Sequence, residues 1–127
     1  PTQTRCVLSE RAQLYLAPSD KGMAWPTPRY TPLRHVDTNA DWHLVEDFEG
    51  DRFWVHNQYV TDNGFLICGV LKTMATAYSG PGPDHELVGT LPALMGLRIV
   101  EYTSGWIHGV SSDDREVWVP EATVKIF

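Results

Sequence analysis

The sequence predicts an all-β chain built as two consecutive small β-barrels, and a duplicated tryptophan pattern is the main reason. Trp42 and Trp54 are twelve residues apart, as are Trp106 and Trp118, and a shift of 64 places superimposes the two pairs. Of the 28 residues from 33 to 60, seven are identical to the residue 64 places later. Self-similarity at a fixed shift indicates one structural unit used twice. We therefore expect two units, copy one at residues 1–63 and copy two at residues 64–127.

Short apolar runs separated by turn residues are the second observation. Strands are predicted, in chain order, at runs rich in β-branched and aromatic residues: Cys6–Leu8, His43–Val45, Phe53–Val55, Arg98–Tyr102 and Val117–Val119. Turn-forming residues lie between the predicted strands, at Pro26–Pro28, Asp62–Gly64, Gly80–Pro83, Ser104–Gly105 and Ser111–Asp114. The helical period is not sustained, since glycines and a proline interrupt residues 86–97, the stretch that comes closest. Asp62–Gly64 is the predicted joint between the copies.

The front of each copy also matches, at slightly different shifts. Ala12–Pro18 resembles Ala75–Pro81 after a shift of 63. Cys6 and Cys68, which are 62 places apart, open what we expect to be equivalent first strands. The drift in shift indicates small changes of loop length, which surface turns tolerate at little cost.

Charge and hydropathy exclude several classes of partner. The net charge of the 127 residues is −6, and no cluster of basic residues exists. We therefore expect no binding of nucleic acid or of another anionic polymer such as teichoic acid. No run of 18 apolar residues is present, so no membrane span is expected within the chain. Because the chain begins with Pro1, we expect a mature form or an excised fragment.

Each copy resembles a bacterial SH3-like (SH3b) domain. The family's early "A-x-L-x-V-R-x-G-P" segment is matched by Ala12–Pro18, its "G-x-W-x-x-V" by Asp41–Val45, and its "G-W-V" by Phe53–Val55. The matching segments of copy two are Ala75–Pro81, Gly105–His108, Val117–Val119 and Thr123–Val124. The resemblance covers almost the whole chain and implies a fold of two consecutive small SH3-like β-barrels.

The chain departs from the family pattern at three places. Phe53 and Val117 replace the glycine before the second tryptophan, and Ala17 and Gly80 replace the arginine of the first segment. The proline-rich stretch 19–29 has no clear counterpart in residues 82–93.

The resemblance implies a peptide groove lined by three residues of each copy. One comes from the first segment, one is the tryptophan that opens the middle hairpin, and one comes from the closing turn. Copy one supplies Tyr15, Trp42 and Tyr59. Copy two supplies Tyr78 and Trp106 with Pro120, but Thr123 stands where copy one has Tyr59, so copy one keeps the better groove.

Burial is expected to differ between these aromatic residues. Tyr15, Trp42 and Tyr59 should be partly exposed, whereas Trp54 and Trp118 should lie in the cores. Acidic residues are expected beside the groove of copy one, either to attract a cationic ligand or as solvated hairpin edges. They are Asp37, Asp41, Glu46, Asp47, Glu49 and Asp51.

The cysteines are not expected to be nucleophiles. Cys6 and Cys68 lie in apolar runs, where neither a helix N-terminus nor a neighbouring base would activate a thiolate. Two alternatives remain open, namely buried free thiols and a disulfide between the copies, which would suit an oxidising compartment.

No metal or cofactor is expected. Residues 37–41 imitate the start of a calcium loop, but Trp42 stands where that loop needs glycine and Phe48 where it needs glutamate. The five histidines do not have zinc-site spacing.

The predicted function is that of a non-catalytic bacterial cell-envelope module, periplasmic or extracellular. It would recognise a peptide or peptidoglycan segment through the aromatic groove, within a larger wall-associated protein. The alternative is a structural or assembly domain, for protein–protein interaction or dimerisation, with no small ligand. An enzyme is the least favoured class, because no catalytic constellation is apparent.

Overall fold

The structure is a computed structural model that describes residues 4–61 and 66–126. It is all-β, as predicted, with two antiparallel sheets that follow one another along the chain. The predicted joint at Asp62–Gly64 lies outside the described residues. Within the described ranges, no helix reaches the length and apolarity needed to span a bilayer.

The first sheet contains the seven strands of the N-terminal half. They are β1 (Thr4–Val7), β2 (Gln13–Tyr15), β3 (Ala24–Pro26), β4 (Pro32–Asn39), β5 (Trp42–Glu46), β6 (Arg52–His56) and β7 (Val60–Thr61). Their order across the sheet is β3-β2-β6-β5-β4-β1-β7. A single 3-10 turn, Asn57–Tyr59, connects β6 to β7.

The second sheet repeats this arrangement. Its strands are β8 (Cys68–Leu71), β9 (Ala75–Tyr78), β10 (Leu87–Leu91), β11 (Gly96–Thr103), β12 (Trp106–Ser111), β13 (Glu116–Pro120) and β14 (Val124–Lys125). Their order, β10-β9-β13-β12-β11-β8-β14, is the same. A 3-10 turn, Glu121–Thr123, again precedes the last strand.

The shift of 64 also relates irregular features of the backbone. A register shift interrupts β4 between His35 and Asp37, and the same irregularity interrupts β11 between Ile99 and Glu101. Tyr30 and Leu94 both have positive φ, at 69° and 73°. Equivalent side chains of the two sheets can therefore be compared position by position.

Each sheet curves around a core of its own. Five strands of the first sheet send side chains into one buried cluster, which includes Val7, Leu14, Leu33, Val45 and Val55. The second cluster likewise includes Leu71, Ala77, Leu91, Leu97 and Val119. In the described pairings, however, the two edge strands of each sheet are not paired with each other; these are β3 and β7 in the first sheet and β10 and β14 in the second. The two closed barrels expected from the sequence are therefore not confirmed; the structure has two open antiparallel sheets.

The expectation that Trp54 and Trp118 lie in the cores is wrong. Both side chains are only half-buried, whereas Val55, Val117 and Val119 beside them are fully buried. Side chains alternate between the two faces of a strand, so the inward valines direct both tryptophans outward. Residue type suggested a core position, but alternation along the strand decides it.

The proline-rich stretch of copy one does have a structural counterpart in copy two. Leu14 of β2 pairs with Trp25 of β3, and Ala77 of β9 pairs with Gly89 of β10. β3 and β10 are therefore equivalent strands. The sequences do not resemble one another here because the side chains at matched positions differ so much in size.

A disulfide between Cys6 and Cys68 connects the two sheets, and the Cα atoms are 6.0 Å apart. Of the two alternatives left open by the sequence, the structure has the bridge. The expected equivalence of the cysteines is wrong, however. Thr4 pairs with Arg34, and Cys68 pairs with Arg98. Since Arg34 and Arg98 are 64 residues apart, Cys68 is the counterpart of Thr4, two residues away from Cys6.

The two sheets also contact each other next to this bridge. Tyr30 is buried in one cluster with both cysteines. Arg29 donates hydrogen bonds to the Tyr30 hydroxyl and, at 2.7 Å, to the Asp114 carboxylate of the second sheet. The hydrogen bond with Tyr30, reinforced by the Asp114 carboxylate, raises the pKa of the Arg29 guanidinium.

Gly96 permits the close approach of the sheets. A Cβ atom added there would lie 2.7 Å from the carbonyl carbon of Tyr30 and 2.7 Å from the Thr31 nitrogen. Both are backbone atoms of the N-terminal half, which contains the first sheet. Any larger residue would force the sheets apart, so this position requires glycine.

We expect the Cys6→Ala/Cys68→Ala double variant to lose about 4 kcal/mol of unfolding free energy, because the bridge closes a long loop in the unfolded chain. The cysteines are separated by 62 residues. Urea unfolding of the variant and of the bridged protein measures the difference. The reduced natural protein is the control and should match the variant. An unchanged unfolding midpoint would contradict the expectation.

Candidate functional site

Four aromatic side chains form a continuous row on the outer face of the first sheet, which we call the aromatic row. Tyr15 of β2 contacts Trp42 of β5, Trp42 contacts His56 of β6, and His56 contacts Tyr59 of the 3-10 turn. The ring centroids are 5.5, 5.2 and 6.2 Å apart, and each contact is edge-to-face. This is a preferred geometry for aromatic pairs.

Strand pairing positions the centre of the aromatic row. Trp42 is the first residue of β5 and pairs directly with His56 on β6. The His56 Nδ1 atom accepts a hydrogen bond from the backbone N–H of Gln58, at 3.2 Å, and so caps the 3-10 turn. The N–H of Asn57 donates to the carbonyl of Asp41, at 2.8 Å. Together these bonds fix the closing turn against the β4–β5 hairpin, with Tyr59 beside His56.

All four rings of the aromatic row are half-buried. Tyr59 packs partly against the first core, and the Tyr15 hydroxyl donates to the Gln13 side chain at 3.3 Å. The expected partial exposure of Tyr15, Trp42 and Tyr59 agrees with this arrangement. The row therefore presents ring surface to solvent while its members hold one another in place.

Sequence reasoning missed two members of this outer face. His56 completes the aromatic row between Trp42 and Tyr59, and Trp54 lies two residues earlier on β6, paired with Tyr15. The signal that could have found both was available. Because Val55 faces the core, its neighbours on the strand must face outward.

The second sheet keeps only the first half of the row. Tyr78 and Trp106 are in edge-to-face contact, with centroids 5.9 Å apart. Pro120 pairs with Trp106 in the position of His56, and Thr123 replaces Tyr59. The Thr123 hydroxyl donates to the Pro120 carbonyl at 2.6 Å, so this turn is held by its own hydrogen bond. The structure thus brings Tyr78 and Trp106 together without a third ring.

The outer face of the second sheet carries a charged cluster instead. His108 stacks on Trp118 with centroids 4.7 Å apart and an angle of 9° between the rings. Its two ring nitrogens lie 3.5 Å from Glu101 and 3.6 Å from Glu116. In the first sheet, the residue paired with the equivalent tryptophan is Leu44. The two outer faces therefore differ in chemistry.

Most of the acidic residues of copy one do not lie beside the aromatic row. Asp41 adjoins Trp42, but Asp47 follows the far end of β5, roughly 16 Å along the strand direction at about 3.3 Å per residue. Glu46 is paired with Arg34 at 3.8 Å and with Arg52 at 3.2 Å. The acidic residues are thus distributed along the hairpin rather than concentrated at one site.

No group of three or more histidine, cysteine or acidic side chains placed to hold a metal occurs among residues 4–61 and 66–126. Two histidines lie close together on β4 and β5. The rings of His35 and His43 are 5.1 Å apart, and the Thr38 hydroxyl contacts both.

Comparison with known proteins gave matches to solved structures only. No protein-family model matches the chain. No curated protein matches it either. The structure of NlpC2 from Trichomonas vaginalis matches 98% of this chain at 10% identity, with a TM-score of 0.43. The structure of NlpC1 from the same organism matches 98% at 11% identity, again with a TM-score of 0.43. The chain spans about half the length of these two proteins, 48% and 46% respectively.

We expect Trp42→Ala to leave the first sheet folded. Its ring makes two edge-to-face contacts on an outer face, so the variant should lose about 1–2 kcal/mol of unfolding free energy. Leu33, fully buried in the first core, provides the comparison. Leu33→Ala should lose about 2–5 kcal/mol, because it also leaves a cavity. Urea unfolding of both variants measures the ranking, and an equal or larger loss for Trp42→Ala would place that ring among the core residues.

Proposed function

We propose that this chain is a non-catalytic peptide-binding module whose site is the aromatic row of Tyr15, Trp42, His56 and Tyr59. The observation that carries the proposal is the unbroken sequence of four edge-to-face rings on a solvent-facing surface. Rigid aromatic rings supply contact area at a low cost in side-chain entropy, and they are the usual lining of grooves that receive extended peptides.

The spacing of the rings favours an extended ligand. The centroids are 5.2–6.2 Å apart, close to the roughly 6.6 Å that separates alternate residues of an extended chain. Alternate side chains or ring-stacking prolines of such a ligand could then contact successive rings. The ligand we propose is a wall peptide of peptidoglycan or a peptide segment of a partner protein.

We further propose that residues 1–63 and 64–127 are two SH3-like units and that the module works in the bacterial cell envelope, in the periplasm or outside the cell. The matching strand order of the two sheets supports the first statement. The Cys6–Cys68 disulfide supports the second, because structural disulfides persist in oxidising compartments. With both sulfur atoms in the bridge, neither is a free thiolate, which also favours a non-catalytic role.

An assembly role is the second candidate. Two apolar side chains of β11, Val100 and Tyr102, are 48% and 58% exposed. Such side chains on a second copy of the chain or on a partner protein would bury each other. Light scattering of the purified chain distinguishes this role, since it predicts a defined oligomer that Tyr102→Ser dissociates.

Trp42→Ala should abolish retention of the chain on purified peptidoglycan, or its affinity for the peptide released from it. Truncation of a central aromatic contact typically costs about 2 kcal/mol or more, which is a loss of roughly 30-fold. Trp106→Ala is the matched control, because it removes the equivalent ring from a row that is already incomplete. Stronger loss from Trp106→Ala than from Trp42→Ala would move the site to the second sheet.

Completing the second row provides a test in the opposite direction. The Pro120→His/Thr123→Tyr variant gives the second sheet the two aromatic residues that it lacks. We expect it to restore binding when combined with Trp42→Ala, as measured by the same retention assay. A folded triple variant, judged by its thermal melt, that fails to bind would contradict the claim that four rings suffice.

A further inference from the structure

A cavity of about 270 Å³ lies at the end of the first sheet, between β3 and the turn that joins β5 to β6. Its floor includes the core side chains Leu14 and Leu33, and its wall includes the aromatic rings of Trp25, Phe48 and Phe53. The Trp25 and Phe53 rings are in contact, with centroids 5.7 Å apart. The cavity is thus lined mainly by apolar side chains.

The second sheet closes one side of this cavity. Val70 of β8 and Leu94 of the loop before β11 contribute to its lining. They reach it because the sheets approach so closely at Gly96, where a Cβ would collide with the backbone of Tyr30 and Thr31. The cavity therefore depends on the contact between the two sheets.

This cavity is separate from the aromatic row. Phe53 packs against the first core, whereas Trp54, the next residue of β6, lies on the outer face with Tyr15. Likewise Leu14 faces inward and Tyr15 outward. The cavity and the row therefore lie on opposite faces of β2 and β6.

The equivalent space in the second sheet is filled by larger side chains. Leu91 is fully buried in the second core, and Met95 packs against that core. The residues 64 places earlier are Thr27 and Thr31, which are shorter and line the cavity instead of filling it. The first sheet thus keeps open a space that the same fold can close.

The aromatic wall is also particular to the first sheet. Gly89 holds the position of Trp25 in the equivalent strand pairing, and Ser112 holds the position of Phe48 in a turn of equal length. Two large rings therefore border the cavity where the second sheet has almost no side chain.

Two carboxylates lie at the rim of the cavity, those of Asp47 and Glu49. The Asp47 Oδ1 atom accepts hydrogen bonds from the N–H groups of Glu49 and Asp51, at 3.0 and 2.9 Å, so its position is fixed by the turn. In the second sheet, Ser111 replaces Asp47 and caps the turn through the N–H of Arg115.

The counterpart of Glu49 in the second turn is neutralised by an ion pair. Asp113 replaces Glu49 there and forms an ion pair with Arg115 at 2.9 Å. The hydrogen bond from the Ser111 hydroxyl, together with Arg115, lowers the pKa of Asp113. The rim of the first sheet, in contrast, combines an anchored carboxylate with the exposed one of Glu49.

We propose that this cavity binds an apolar group that carries an amine at one end. The apolar group would enter between Trp25, Phe48 and Phe53, and the ammonium would remain at the rim beside Asp47 and Glu49. A cavity of 150 Å³ holds one benzene ring, so about 270 Å³ accepts an aromatic or branched aliphatic group of roughly ten non-hydrogen atoms. A free amine and the apolar N-terminal residue of a peptide both have this chemistry.

Three probes that share a phenylethyl group test the charge requirement in solution: 2-phenylethylamine, 2-phenylethanol and 3-phenylpropionate. Titration followed by tryptophan fluorescence and by NMR shifts of Leu94 should show the amine binding about fivefold more tightly than the alcohol, with the acid weakest. Equal affinities for all three probes, or no shift with any of them up to millimolar concentration, would overturn the proposal.

Two kinds of variant test the location. Thr27→Leu and Thr31→Met copy the side chains that fill the second sheet, and each should abolish amine binding with little change in the thermal melt. Glu49→Gln should weaken the amine about two- to fivefold and leave the alcohol unchanged. Glu121→Gln, at an exposed carboxylate of the second sheet, is the matched control and should change neither. Undiminished amine binding by the Thr27→Leu and Glu49→Gln variants would exclude this cavity.

Two further measurements identify the source of the ligand and separate this site from the aromatic row. Phe-Gly-Gly amide with a free N-terminus is compared with its acetylated form. If the free peptide binds more tightly than 2-phenylethylamine, the ligand of the cavity is a peptide N-terminus. If 2-phenylethylamine binds more tightly, the ligand is a small amine. Trp42→Ala should leave all these affinities unchanged, because Trp42 does not line the cavity. The amine titrations therefore test this proposal independently of the peptidoglycan-binding proposal.

Discussion

The alternation of side chains along short strands is the constraint on which both proposed binding surfaces of this chain depend. Val45 and Val55 face inward and are fully buried, which fixes the residues next to them on the opposite face. Trp42 and His56 therefore meet on the outside, while Phe53 turns toward the core and lines the cavity. A slip of one residue in the register of β6 would exchange these two sets and abolish both surfaces.

The sequence was sufficient for the all-β class, because that class depends on patterns that recur along the chain. Short β-branched runs, frequent turn residues and the paired tryptophans are local signals, and the all-β fold with its matching sheets follows from them. The aromatic residues Tyr15, Trp42 and Tyr59 could also be placed near one another, because the resemblance to SH3-like domains implied a groove lined by all three. Their contact through His56 required the cross-strand pairing of β5 and β6, which only the structure supplies.

The failures have specific physical causes. Trp54 was assigned to the core by its size, although its neighbours on β6 already occupied the inward positions. β3 was overlooked because Trp25 and Gly89 have nothing in common except their place in the sheet. The cysteines were taken as equivalent because each opens an apolar run. A strand of four residues, however, can pair with its neighbour in more than one register, and its amino-acid composition does not show which register is used. The cavity left no sequence signal, since the small side chains of Thr27 and Thr31 and the large rings of Trp25 and Phe48 border one space only in the folded chain.

The disulfide has a consequence for the symmetry of the molecule. A two-fold axis between the copies would place the same patch of each against the other, and equivalent residues would face across the axis. Here Cys6 and Tyr30 of the first copy contact Cys68 and Gly96 of the second. The counterparts of Cys68 and Gly96 in the first copy are Thr4 and Pro32, and these are not the residues that make the contact. The contact is therefore heterologous, since it uses one surface of the first copy and a different surface of the second. Joining the two chains of a symmetric dimer end to end would not produce this contact. Exchanging the order of the two copies along the chain would not preserve it either, because each copy contributes different residues.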